Sequence, residues 1–185
     1  MHEQLLLTLL YSDRNLVAID KPPGLLVHPS ALDAHETRTA VGLLAEQLGG
    51  RLLPLHRLDK ATSGVLLLAR HAEAARHWGR AFEAGTVRKR YLALVRGWPP
   101  EQGCIDQPLA RDPELPSAGQ PRLEALTRFR RLATFDWPFQ ADARHPTSRY
   151  ALVEAQPQTG RRHQIRRHFK HIAHPLVGDT THGKG

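Results

Sequence analysis

Short apolar runs alternate with polar breaks along the first third of the chain, and the breaks mark where strands turn. Residues 5–11, mostly leucine, and 16–20, with Val17, Ala18 and Ile19 in succession, read as two strands separated by Ser12, Asp13, Arg14 and Asn15. Lys21, Pro22, Pro23 and Gly24 predict a sharp turn, because the prolines fix φ and the glycine accepts a positive one. Residues 25–28 resume an extended run. A helix is predicted over 39–47, closed by Gly49 and Gly50. Val65 to Ala69 form a buried-strand candidate, and a second helix over 72–84 spaces Ala75, Trp78 and Phe82 along one face. Tyr91 to Val95 read as a strand that ends at Gly97. Residues 99–122, rich in Pro, Gly and polar side chains, read as an insertion or a mobile loop. Two more strands are expected near 123–132 and 150–155, and a last helix over 164–171. No repeat is visible. Strands dominate without a regular βαβ alternation, so the pattern predicts an α+β fold.

Composition narrows the setting. At 185 residues the chain is expected to be a single domain spanning 1–185. Cys104 is its one cysteine, so no internal disulfide can form and a reducing compartment suits it. The apolar stretch at 5–10 is too short for a membrane span and lacks the basic flank of a signal peptide, so a cytoplasmic protein without membrane attachment is expected. No heptad or long apolar stripe is present, and a monomer is expected.

Charge adds a hint about partners. Lys and Arg total 26 against 18 acids, a net +8, and only five of the cations are lysine. The planar guanidinium fork suits phosphate oxygens. A basic balance suggests a polyanion without proving one.

Three segments carry candidate chemistry. His56, Arg57, Leu58, Asp59, Lys60, Ala61, Thr62, Ser63 and Gly64 form a polar turn immediately before the apolar 65–69 run. Such a turn can hold a carboxylate over a sheet, with Arg57 and Lys60 keeping Asp59 ionised. Taken alone, it is more simply a surface loop with an Asp–Arg pair. Arg88, Lys89, Arg90 and Tyr91 place three cations beside an aromatic ring, suited to RNA phosphate and base stacking or to a solvated strand end. From Thr159 to His171 a turn opens into a helix dense in cations and imidazoles. Arg162, Arg166 and Lys170 recur every four residues there, as a phosphate-binding stripe would. His163, His168, His171 and His174 have the wrong spacing for common zinc sites, so no metal is expected.

Taken in order, these segments resemble the pseudouridine synthases of the large-subunit-rRNA (RluA-like) type. The resemblance is carried by His56 to Asp59 with Thr62 to Gly64, by Lys89 to Gly97, by Gly160 to His168, and by Gly178 with Asp179. Val17 to Gly24 with Val27 and His28 is similar to the family's opening strand and turn. His35, Glu36 and Thr37, and Gly178 to Gly183, are similar to a tRNA-acting subgroup. The resemblance implies a central mixed, mostly antiparallel sheet with flanking helices and an active-site cleft. It also implies isomerisation of uridine to pseudouridine in RNA, without cofactor. Asp59 is then the nucleophile, Tyr91 packs against the target base, Arg166 pairs with the Asp59 carboxylate, and Ile165 lines the pocket. Arg57 takes the place of the flipped base, while Lys60, Lys89, Arg90, Arg161, Arg162 and Arg167 contact RNA. The subgroup implies a tRNA partner and the uridine at position 65 of the T stem. Ribosomal RNA as substrate, or RNA binding without catalysis, are the alternatives. An S4-like module is not expected, and relatives continue for several strands past the point where this chain stops, so the family's C-terminal strands are expected to be missing.

Overall fold

The computed structural model describes residues 6–29, 35–139 and 147–183. The start of the expected strand at 5–11 and the terminal Lys184 and Gly185 lie outside the described residues. The chain divides into two compact units, Met1–Val87 and Arg88–Gly185.

In the first unit, strands β1 (Thr8–Ser12), β2 (Leu16–Lys21), β3 (Leu53–Pro54) and β4 (Gly64–Ala69) form an antiparallel sheet in the order β1-β2-β4-β3. The β1–β2 turn is an Asx turn, in which Asp13 Oδ1 accepts the N–H groups of Asn15 and Leu16 at 2.7 and 2.6 Å. Val17, Ile19, Leu66 and Leu68 are fully buried, as the unbroken apolar runs predicted for inner strands. Helix α1 (Ala40–Leu48) starts at Thr39, whose hydroxyl accepts the Gly42 N–H, and ends at Gly49 with φ 72°. Helix α2 (Ala72–Glu83) is capped by the His71 side chain and buries Ala74, whereas Trp78 stays exposed. Residues 25–28 contribute a single parallel bridge, Leu26 to Thr39, rather than a strand.

In the second unit, β5 (Tyr91–Arg96), β6 (Gln102–Asp106), β9 (Leu126–Trp137) and β10 (Ser148–Pro157) form an antiparallel sheet in the order β5-β10-β9-β6. A two-stranded ribbon joins β7 (Leu109–Ala110) to β8 (Arg122–Leu123). The segment expected to be a loop at 99–122 therefore supplies an edge strand and the ribbon. Its strand was invisible because only Ile105 of β6 is buried, and the pairing of residues 102–106 with 126–130 on β9 holds it in place. Gly103 is required there, since an added Cβ would stand 2.7 Å from the Phe129 ring. One face of the sheet, through Ala93, Val95, Phe129, Ala151, Val153 and Ala155, buries Phe169 of helix α3 (Gln164–His171). Phe129 and Phe169 meet edge to face at 5.3 Å. Every ladder among the described strands is antiparallel.

Candidate active site

Asp59 sits in the loop between β3 and β4, and backbone carbonyls anchor that loop from below. Register pairs Lys21 at the end of β2 with Gly64 at the start of β4. Lys21 is completely buried and donates through Nζ to the carbonyls of Pro22 and Leu25, both at 2.8 Å, and of Lys60 at 3.2 Å. The same Lys60 carbonyl accepts the Gly24 N–H at 2.8 Å, so the Pro–Pro–Gly turn grips the residue next to Asp59. Burial lowers the Lys21 pKa, and the Asp59 carboxylate opposes that shift. The loop closes as a turn, Thr62 N–H to Asp59 C=O at 2.9 Å, with Leu58 buried as its anchor. His56 accepts the Leu67 N–H on Nε2 and stacks on Phe82 of α2 at 5.0 Å. Arg57 is exposed, and Lys60 reaches Glu36 at 2.7 Å.

The second segment lies in the other unit. Tyr91 opens β5 opposite Ala155, and the two-residue period places it on the face that carries Ala93, Val95 and α3. Lys89 is partly buried, which lowers its pKa, and donates to the Thr159 carbonyl at 3.3 Å. Arg90 is largely solvated, 3.8 Å from Glu154.

Helix α3 is fixed by a saturated polar network. Buried Gln164 donates to the Leu126 carbonyl and to Thr127 Oγ1, while its Oε1 accepts from the Thr159 hydroxyl and the Arg161 N–H. Thr127 continues to His168 Nδ1 at 2.9 Å, and His168 Nε2 meets the Gln107 carbonyl at 3.0 Å. A carbonyl can only accept, so His168 carries its proton on Nε2 and receives the Thr127 hydroxyl on Nδ1. A buried network with every member paired specifies one geometry.

That geometry aims Arg166. Its Nε and Nη2 donate to the two oxygens of Asp179, each at 2.8 Å. Asp179 Oδ1 also accepts the N–H groups of Thr181 and His182, at 3.0 and 2.9 Å. Burial alone would raise the Asp179 pKa, but the Arg166 guanidinium and those two amides outweigh it and hold the carboxyl well below the usual range. His182 in turn meets His163 at 2.9 Å, Nε2 to Nδ1.

The expected four-residue cation stripe does not form. His163 adopts φ 53°, so α3 begins after Arg162, and Arg166 turns onto Asp179; only Lys170 of the three is exposed. Arg161 Nε donates to the Glu124 carbonyl, Arg167 to the Ala110 carbonyl, and Arg162 reaches Asp112 and Glu114. Ile165 packs on the core of its unit. Sequence reasoning passed over Lys21, Gln164 and His182 as site-building residues, and placed Asp179 only as a motif member. The one available signal for Lys21 was a lysine directly after an apolar strand. Among the described residues no group of three or more His, Cys, Asp or Glu is placed to hold a metal ion, and no helix is long and apolar enough to cross a membrane.

A family model described as RNA pseudouridylate synthase matches residues 15–171. The chain belongs to that family. The matched span contains the Asp59 loop, Tyr91 and all of α3, and it stops just short of Asp179. Curated relatives agree. The chain is 42% identical over 185 residues to tRNA pseudouridine synthase C of Vibrio vulnificus, covering 97% of this chain and 75% of that protein. It is 45% identical over 181 residues to the protein of the same name from Haemophilus ducreyi, covering 96% and 74%. Among solved structures it is similar to human RNA Pseudouridylate Synthase Domain Containing 1, with a TM-score of 0.78 at 26% identity, covering all of this chain and 72% of that one. The like-named domain containing 4 gives 0.71 at 29%, covering 96% and 69%. Pseudouridylate synthases are isomerases acting on RNA.

Proposed function

We propose that this pseudouridylate synthase converts a uridine of a transfer RNA, at position 65 of the T stem, to pseudouridine, with Asp59 as nucleophile. The observation that carries the reading is the Asp59 loop, which two independent donors, Lys21 Nζ and the Gly24 N–H, grip at the Lys60 carbonyl. A carboxylate carried on a loop anchored in this way can serve as a covalent nucleophile. The choice of tRNA follows the relatives named tRNA pseudouridine synthase C.

The reaction breaks the bond from N1 of uracil to C1′ of ribose, rotates the base, and forms a bond from C5 to C1′. The bond that Asp59 forms to the substrate breaks again as the new glycosidic bond is completed, the C5 proton leaves and N1 gains one, so atoms and electrons balance without an external donor. The uridine must leave its stack before any of this can happen. In this reading Tyr91 gives the flipped base a stacking surface and helps remove the C5 proton. Ile165 supplies an apolar wall. Arg166, held by Asp179, is the cation that pairs with the reacting carboxylate. Exposed Arg57 fills the vacated stack, and Lys60, Lys89 and Arg90 contact the backbone. The enzyme acts as a cytoplasmic monomer.

The test is to incubate the 185-residue chain and its Asp59→Ala variant with unmodified tRNA transcripts, then map pseudouridine by carbodiimide-dependent reverse-transcription stops. One T-stem stop, lost in the variant, is expected. A stop only on ribosomal RNA would replace the substrate, and binding without any stop would reduce the chain to an RNA-binding module.

A further inference from the structure

Four residues around α3 converge on one stretch of chain, the β7–β8 ribbon, its loop and the residues that flank it. His168 Nε2 holds Gln107, Arg167 Nη1 holds Ala110 at 2.9 Å, and Arg161 Nε holds Glu124 at 2.9 Å, all through carbonyls. Between these backbone ties stands one side-chain tie. Arg162 Nη1 lies 3.3 Å from Asp112 Oδ1, and Nη2 is in close contact with Glu114 Oε1. The loop has internal order of its own. The Gln120 side chain accepts the Asp112 N–H and donates to the carbonyls of Asp112, Leu115 and Pro116, while Asp112 Oδ1 accepts the Glu114 N–H.

Charge decides what Arg162 can do there. One guanidinium between two carboxylates makes a triad of net −1, which an RNA phosphate would meet as repulsion rather than attraction. The Arg162 side chain is only 27% exposed, and its Nε is buried. At the roots of the same loop stand Arg111 and Arg122, both exposed, with Arg122 directly opposite Ala110 in the ribbon. Arg122 also lies near enough to Arg167 for the two cations to repel. The loop that Arg162 closes therefore carries solvent-facing cations where the guanidinium itself is neutralised.

We propose that Arg162 is a positioning residue: it clamps the loop between Asp112 and Gln120 to the start of α3, and RNA engagement depends on that loop being held, not on Arg162 touching phosphate. The inference rests on the reading that the chain acts on RNA. It divides the arginine run into one member aimed by Asp179 and others that build a strap beside it.

The test compares Arg162→Ala, Arg162→Glu, and Arg162→Glu combined with Glu114→Arg, using the tRNA transcript as probe. Binding is measured across a salt series, together with kcat, KM and thermal midpoint. For Arg162→Ala the expected result is a KM about tenfold higher at nearly unchanged kcat, with the slope of log affinity against log salt unaltered. Arg162→Glu should be worse, and the reciprocal pair should recover most of the loss. A salt slope smaller by about one in Arg162→Ala would make Arg162 a phosphate contact and overturn the proposal. So would a reciprocal pair that folds with the wild-type midpoint and still binds as poorly as Arg162→Glu. The salt series needs no turnover, so an inactive wild type would count against the proposed function while the clamp is still judged.

Discussion

Arg166 and Asp179 form a two-point ion pair, Nε to Oδ2 and Nη2 to Oδ1, each at 2.8 Å. The geometry is that of a guanidinium fork on a carboxylate, in which direction is fixed as firmly as distance. Two backbone amides complete the carboxylate's acceptors, so Asp179 is a preset holder for Arg166.

Removing the holder should therefore cost both stability and aim. Asp179→Ala removes both carboxylate acceptors from the partly buried Arg166 guanidinium, and a loss of about 3 kcal/mol is expected in urea denaturation. Because the Asp179 pKa is depressed, its stabilising contribution is complete above the ordinary carboxylate value near 4 and is lost as pH falls below it. Wild-type stability should drop more steeply than that of Asp179→Asn between about pH 4 and pH 2. Equal slopes would show that the pair contributes nothing to folding.

Lys21→Met is expected to destabilise the first unit more than it alters the chemistry. The substitution strips the carbonyls of Pro22 and Leu25 of a donor, while Lys60 keeps the Gly24 N–H. Unpaired buried carbonyls cost about 1–3 kcal/mol each. A thermal melt lowered by several degrees, with most single-turnover rate retained at low temperature, is the expected outcome. Activity lost without a change in melting would instead give Lys21 a direct part in the reaction.

Mild acid should loosen the second unit. Burial lowers the pKa of His168, so the unfolded chain binds a proton near pH 6.5 that the folded chain refuses until lower pH. Stability accordingly falls as pH drops from about 6.5, by up to 1.4 kcal/mol for each unit of pKa difference. His182, whose pKa burial also lowers, adds to the same slope. Calorimetry of His168→Gln should show a flatter profile between about pH 7 and pH 5; an unchanged profile would remove His168 as its source.

Gly103→Ala probes the strand that the sequence hid. The new Cβ would meet the Phe129 ring at 2.7 Å, and Phe129 packs on Phe169 in the core. A loss of about 1–3 kcal/mol is expected from overpacking. Gly79→Ala on α2, where a Cβ meets nothing within 4 Å, is the control and should be neutral or stabilising.

Much of the architecture was legible because its cause is local. Helix α3 was expected over 164–171 and is found at Gln164–His171, and Thr39 and Gly49 bracket α1 as cap chemistry requires. The inner strands announced themselves as apolar runs. The segment at 99–122 did not, since β6 has one buried side chain and is held by its ladder to β9. The site shows the same division. The resemblance to a family, carried by motifs in order along the chain, pointed to Asp59, Tyr91 and Arg166 as candidates, where the residues alone read as surface loops and a cation stripe.

What each of those residues touches was not written there. A helical repeat of cations reads the same whether the groups face water or carboxylates, and one positive φ at His163 shifted Arg162 out of the helix and onto Asp112 and Glu114. Lys21 looked like the start of a turn until the backbone brought the Lys60 carbonyl, 39 positions away, to within 3.2 Å. The sequence by itself determined the family, the elements with strong local signals and the candidate nucleophile. Only the tertiary structure decided which cations are engaged inside the protein and what aims Arg166, because partners distant in sequence meet only once the chain is folded.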